Sequence, residues 1–185
     1  MKTVSGRQAA LLRGVNVGTA KRVAMADLRA LVESLGYSDV RTLLNSGNVV
    51  YTAPGVTPAA AAARIEEALA ARLGVSAMVV ALAAEELAVA VADNPLAEVA
   101  DNPSRLLVAV PADAAARGRL EPLLKQEWEP DALALGPRVA YLWCPDGVTA
   151  SRLSAAVGRA LGDEVTSRNW TTMTRLQVLA TEGQG

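Results

Sequence analysis

Ala10-Leu-Leu-Arg-Gly-Val-Asn-Val-Gly-Thr-Ala-Lys-Arg-Val-Ala-Met25 is the stretch on which the chain's organisation turns. An apolar run, Ala9 to Leu12, reads as a buried strand ending at Arg13-Gly14. A loop with two glycines, Asn16 and the cations Lys21 and Arg22 follows, and it opens into a helix. That helix shows Met25, Leu28, Val32 and Leu35 at helical spacing, with Gly36 as its stop. Working outward, Val40 to Leu44 is a second strand, and Asn45-Ser-Gly-Asn48 a tight turn of the kind that joins antiparallel strands. Val49 to Thr52 is the third strand. Pro58 to Leu73 is a helix with Pro at its start and Gly74 at its end, and Ser76 to Leu82 a fourth strand. Strand, helix, strand, strand, helix, strand is the split β-α-β, ferredoxin-like order.

The order then repeats. Glu85 to Ala92 is a linking helix, followed by the breakers Asn94-Pro95 and Asp101-Asn-Pro103. Arg105 to Val110 is a strand, and Asp113 caps a helix expected to reach Gln126. Ala132 to Leu135 and Val139 to Cys144 make a hairpin across Gly136-Pro137. Ser151 to Leu161 is a helix stopped by Gly162, Glu164 to Ser167 a strand, and Trp170 to Ala180 a closing helix. The expected class is α+β: two tandem ferredoxin-like units with mainly antiparallel sheets. The expected division is 1–83, a linking stretch 84–103, and 104–185 with the C-terminal helix.

Composition narrows the function. The chain has 185 residues, 51% of them hydrophobic, with net charge −1, no His, no Phe and one Cys. A near-neutral chain lacks the basic excess of a dedicated nucleic-acid binder, so nucleic acid is not an expected partner. The absence of His removes imidazole-based triads and the commonest metal ligand. A single Cys, Cys144, makes neither an internal disulfide nor a thiolate zinc site, which fits a reducing, cytoplasmic location. Ala9 to Leu12 is too short for a signal core. Ala77 to Ala92 is interrupted by Glu85 and Glu86 and falls short of the roughly 20 apolar residues that span a bilayer. No cofactor, metal or catalytic residue is assigned, and the reading leans away from an enzyme.

The ferredoxin-like order brings one polar edge into view. The loop leaving the first strand and the turn between strands two and three fall at the same end of the sheet. Arg13, Gly14, Asn16, Gly18 and Lys21 therefore come near Ser46 and Asn48, beside the N-terminus of the first helix. Free helix N–H groups, glycines, cations and amide donors suit a phosphate or carboxylate. The plain alternative is a loop whose glycines and asparagines serve backbone geometry alone, and Gly14-Val-Asn-Val-Gly18 fits neither the Walker loop nor the dinucleotide fingerprint. A second polar corner gathers Asp146, Arg168, Asn169 and Trp170, with Arg168 expected to pair with Asp146. Two further groups read as bland: Lys21 with Ser46 as a catalytic pair is disfavoured, and Glu66-Glu67 is a solvated helix face.

Leu11-Leu-Arg-Gly-Val-Asn-Val-Gly18, Met25-Ala-Asp-Leu-Arg-Ala-Leu31, Asn45-Ser-Gly-Asn-Val-Val50, Asp93-Asn-Pro95, Tyr141-Leu-Trp-Cys-Pro-Asp-Gly147 and Ser167-Arg-Asn-Trp-Thr171 occur together. As a set they resemble a bacterial family catalogued as domain of unknown function 1697, over nearly the whole chain. The resemblance implies the tandem ferredoxin-like fold and brings no activity, cofactor or catalytic residue. The chain departs from the family pattern at Thr19, Ala24 and Thr171, where Gly, Pro and Asn are usual. The expected function is non-catalytic binding of a small anionic, phosphate- or nucleotide-like ligand at the first edge. The alternatives are a His-free enzyme acting on a phosphorylated or carboxylate substrate, and an RNA-binding or assembly module. Pairing of Ala- and Val-rich edge strands would make a second copy a partner.

Overall fold

The computed structural model describes residues 6–19 and 21–182. These fall into two compact units. Residues to Leu87, together with those from Leu176 onward, form the first; Ala88–Arg175 form the second. The division runs through the linking helix and the C-terminal helix.

The first unit holds β1 (Arg7–Leu12), α1 (Met25–Ser34), β2 (Ser38–Leu43), β3 (Asn48–Thr52), α2 (Pro58–Ala68) and β4 (Val79–Ala83). Its strands lie in the order β2-β3-β1-β4, all neighbours antiparallel. This is the ferredoxin-like arrangement. All six residues of β1 are buried, as a central strand requires. The strand starts two residues before the apolar run, because Arg7 and Gln8 are buried with partners. Arg7 donates to the Asp39 carbonyl at 2.7 Å and pairs with its carboxylate at 3.1 Å. It also reaches the Leu179 carbonyl in the last turns of the chain. Gln8 donates to the Val56 carbonyl and accepts from the Tyr51 hydroxyl. With no Phe available, Tyr51 and Tyr37 stack at 5.1 Å to supply the aromatic part of a Leu, Val and Ala core.

Helix α2 begins as expected, with Thr57 accepting from the Ala60 N–H and Pro58 in its first turn. Its last turn widens into π geometry over Leu69–Leu73 before left-handed Gly74 ends it. The solvated reading of Glu66 needs correction. Its carboxylate accepts from the Val79 N–H at 2.6 Å and so fixes the start of β4, while Glu67 is exposed. An acceptor for a strand's first free N–H is worth more than solvation of the same carboxylate.

The second unit holds β5 (Leu106–Pro111), α4 (Ala114–Gly118), β6 (Ala132–Leu135), β7 (Ala140–Trp143), α5 (Arg152–Leu161) and β8 (Val165–Asn169). Helix α3 (Ala84–Ala92) links the two sheets and α6 (Trp170–Thr181) closes the chain. The sheet order is β6-β7-β5-β8, again antiparallel throughout. Asp113 caps α4 as expected, accepting from the Ala116 N–H at 2.8 Å. The helix does not reach Gln126. It stops at Gly118, and the chain resumes as a 3₁₀ turn over Glu121–Lys125. Pro122 lacks an N–H and its ring collides with the carbonyl four residues back, which is that of Gly118.

Candidate functional site

Two loops of the first unit are tied together at one end of its sheet. Where β1 ends, the Leu12 N–H donates to the Gly47 carbonyl at 2.8 Å, joining it to the β2–β3 turn. Asn16 makes the second tie. Its Nδ2 donates to the Val23 carbonyl at 2.7 Å and to the Asn45 carbonyl at 2.8 Å, while its Oδ1 accepts from the Val23 N–H at 2.9 Å. The Asn16 N–H reaches the Lys21 carbonyl at 3.0 Å. One side chain thus closes the 16–23 loop and fastens it to the turn. Asn48 does the same inside the turn, donating to the Leu43 carbonyl at 2.9 Å and the Ser46 Oγ at 2.8 Å.

The backbone here is unusual. Asn16, Lys21 and Leu44 have φ of 56°, 49° and 57°, and Gly14, Gly18 and Gly47 are also left-handed. Among the described residues, three of the four non-glycine residues with positive φ lie in these two loops, the fourth being Asp39 in the β2 irregularity. Asn tolerates this region; Leu does not without cost. Gly47 is obligatory, since a Cβ there would lie 2.7 Å from Val15 Cγ2 and 2.8 Å from Leu12 Cβ.

The charged groups sit around this frame. Arg13 is half-buried and its N–H donates to the Met78 carbonyl. Lys21 and Arg22 are exposed, Arg22 donating to the Gly18 carbonyl. Ala24 provides no side-chain cap for the first-turn N–H groups of α1. Two apolar side chains are exposed in the same loops, Val17 at 69% and Leu44 at 51%. Of the residues expected at this edge, Asn16 and the end of β1 are tied to the Asn45–Asn48 turn, while Gly18 and Lys21 lie in the loop that Asn16 closes. Asn16 and Asn48, however, spend their amides within the loops, on backbone carbonyls and on the Asn45 and Ser46 side chains, and the exposed cations are Lys21 and Arg22. No hydrogen bond joins Lys21 to Ser46.

The second corner is built differently from its expectation. Register pairs Leu106 with Trp143 and Leu107 with Asn169, so the exits of β7 and β8 share an end of the sheet. Arg168 does not pair with Asp146. Its Nη1 donates to Thr166 Oγ1 and to the Ser167 carbonyl, both at 2.9 Å, and Asp146 is exposed. Burial pushes the Arg168 guanidinium down to about 10. Asn169 Oδ1 accepts from the Thr172 N–H at 2.9 Å and so caps α6, whose first residue is the half-buried Trp170. The turn after β7 is held instead by Arg105, whose Nη1 donates to the Pro145 carbonyl.

Cys144 is fully buried and burial raises its thiol pKa. It sits 3.4 Å from Ser151 Oγ, which donates to Asp131 at 2.7 Å and accepts from the Ser154 N–H. This line of Asp, Ser and Cys reads as a helix cap locked to a strand end, with each polar group spent on the others. Among the described residues no group of three or more Asp, Glu and Cys is placed to hold a metal. Nor is any described helix long and apolar enough to cross a membrane.

A solved structure, of conserved bacterial protein SP0830 from Streptococcus pneumoniae, shares this fold with a TM-score of 0.77 and 20% sequence identity, over 95% of this chain and 98% of that one. No match to a curated protein was found. The match of residues 6–141 to the family's sequence pattern places the chain in the protein family of unknown function DUF1697, to which it belongs.

Proposed function

We propose that the protein is a non-catalytic cytoplasmic binder of a small anionic ligand, phosphate- or nucleotide-like, at the edge formed by Arg13–Lys21 and Asn45–Asn48. The observation that carries this reading is the concentration of left-handed residues in two loops tied by Asn16. Each left-handed L-residue costs about 1–2 kcal/mol. Strain of this size persists only where surrounding contacts impose it, and it clusters at ligand sites. Alternating backbone handedness turns successive N–H groups to one side, making a concavity for an anion. Lys21 and Arg22 supply the charge, the uncapped start of α1 supplies further donors, and Val17 and Leu44 offer apolar contact for an organic part.

A thermal-shift titration with inorganic pyrophosphate and with ATP tests this, on the wild-type chain and on Lys21→Ala. Lys21 is exposed, so the variant keeps the fold. Saturable stabilisation that weakens about tenfold in the variant supports the site, a loss in keeping with one charged hydrogen bond. Equal shifts for both chains, or none with either probe, would count against it.

A further inference from the structure

The second unit carries a groove of about 450 Å³ between its 3₁₀ turn and α5, lined by Leu123, Gln126, Trp128, Arg152, Ala155 and Arg159. Its origin is the break in α4. In the first unit a ten-residue α1 packs beside α2. Here the helix ends at Gly118, and the turn that replaces it leaves a flank of α5 uncovered. The volume lies within the range of small-molecule sites, about 300–1,000 Å³.

The lining has an order. Arg152, Ala155 and Arg159 recur at helical spacing and share one face of α5. The two arginines are seven residues apart, so about 10 Å separates them along the helix axis. Leu123 and the alanines form an apolar floor between them. The Trp128 indole is fixed by donating its Nε1–H to the Leu123 carbonyl at 2.8 Å. The Arg152 guanidinium lies over that ring at 5.9 Å. A guanidinium stacked on an aromatic face keeps its N–H groups free at its edge, where they match a carboxylate or phosphate. Some arginines of the chain are neutralised by carboxylates, as Arg29 is by Glu33, Arg41 by Asp39 and Glu182, Arg117 by Glu121 and Arg119 by Glu164. Among the described residues Arg152 and Arg159 meet no carboxylate, and the lining contains no acid.

We infer that this groove is a second ligand site, independent of the loop edge, and that it takes an elongated organic dianion with an acidic group at each end and an apolar body between. One acidic group docks on the Trp128-supported Arg152, the other on Arg159, and the body lies over the alanine face of α5 within reach of the Gln126 amide.

Isothermal titration of the full chain with the dicarboxylates succinate, adipate and suberate, and with inorganic phosphate, tests the inference. The extended suberate chain comes close to the helical rise between the two arginines; succinate and phosphate fall well short of it. Suberate is expected to bind saturably, about tenfold or more tighter than succinate, with Arg152→Gln and Arg159→Gln each weakening it about tenfold. Both arginines are exposed, so the variants fold. Lys21→Ala should leave suberate binding unchanged, which separates this site from the loop edge. Equal binding of all four probes, insensitivity to either arginine change, or no saturable binding of any dicarboxylate would overturn it.

Discussion

Gly47 sets how closely the β2–β3 turn approaches β1. With φ of 82° and no room for a methyl group against Val15 and Leu12, Gly47→Ala combines left-handed strain with a core clash. A loss of about 2–4 kcal/mol in urea unfolding is expected. Leu44 behaves oppositely. It is left-handed but half-exposed, so Leu44→Gly gives up little burial. The change removes a steric cost of about 1–2 kcal/mol against about 0.5–1 kcal/mol of added chain entropy. Stability should rise by up to about 1 kcal/mol in the same assay; a fall would mean the leucine packs in a way its exposure does not suggest. Residues of this kind were only partly legible in the sequence. The glycines announced a tight turn, yet nothing local tells that Asn16 bonds to Val23 and Asn45, since Asn45 is 29 positions away. Arg7 read as polar and therefore outside the strand. Its burial depends on Asp39, Thr52 and Leu179, which only the fold assembles.

Elements were legible where a stop residue marks them. Pro58, Gly74, Ser151 and Gly162 bound their helices as their backbone chemistry requires. The expected helix from Asp113 to Gln126 failed because Pro122 lies inside it, and a proline within a helix ends it however good the cap at its start. That failure is also what leaves the groove beside α5. Strand β4 was expected from Ser76 and begins at Val79, because pairing with β1 and the Glu66 acceptor fix its start rather than Val content. The cap on α5 is open to direct measurement. Ser151→Ala removes the acceptor for the Ser154 N–H and the donor to Asp131. It should cost about 1–2 kcal/mol in urea unfolding, with helix loss concentrated in α5 by amide exchange; no change would assign the cap's role to other contacts.

Across the whole molecule, the doubled βαββαβ order was legible because two sheets of four strands each need the same alternation of buried strands and amphipathic helices. The ligand proposed for the polar edge was not, since ligand chemistry resides in outward donors that composition does not distinguish from solvated loops. Charge composition does fix a pH response. With no imidazole in the chain, stability should be level between about pH 6 and 8. Burial raises the Cys144 thiol, raises the Tyr51 phenol, and pushes Tyr141 up to about 12. These groups keep their protons in the folded chain after the unfolded chain has released them. Arg168, pushed down to about 10, works the other way, but the three raised groups outweigh it, so the folded state binds more protons above about pH 9 and stability falls as pH rises from there. Urea midpoints at pH 6, 8 and 10 check this: the first two should agree and the third should be lower, whereas a drop between pH 6 and 8 would contradict it. Anion binding by the tied loops is tested most directly by an amide NMR titration with pyrophosphate. Saturable shifts in Gly14 to Arg22 and in Asn45 to Asn48, moving together with one midpoint, are the predicted result. Shifts confined elsewhere, or a spectrum that does not change, would contradict it.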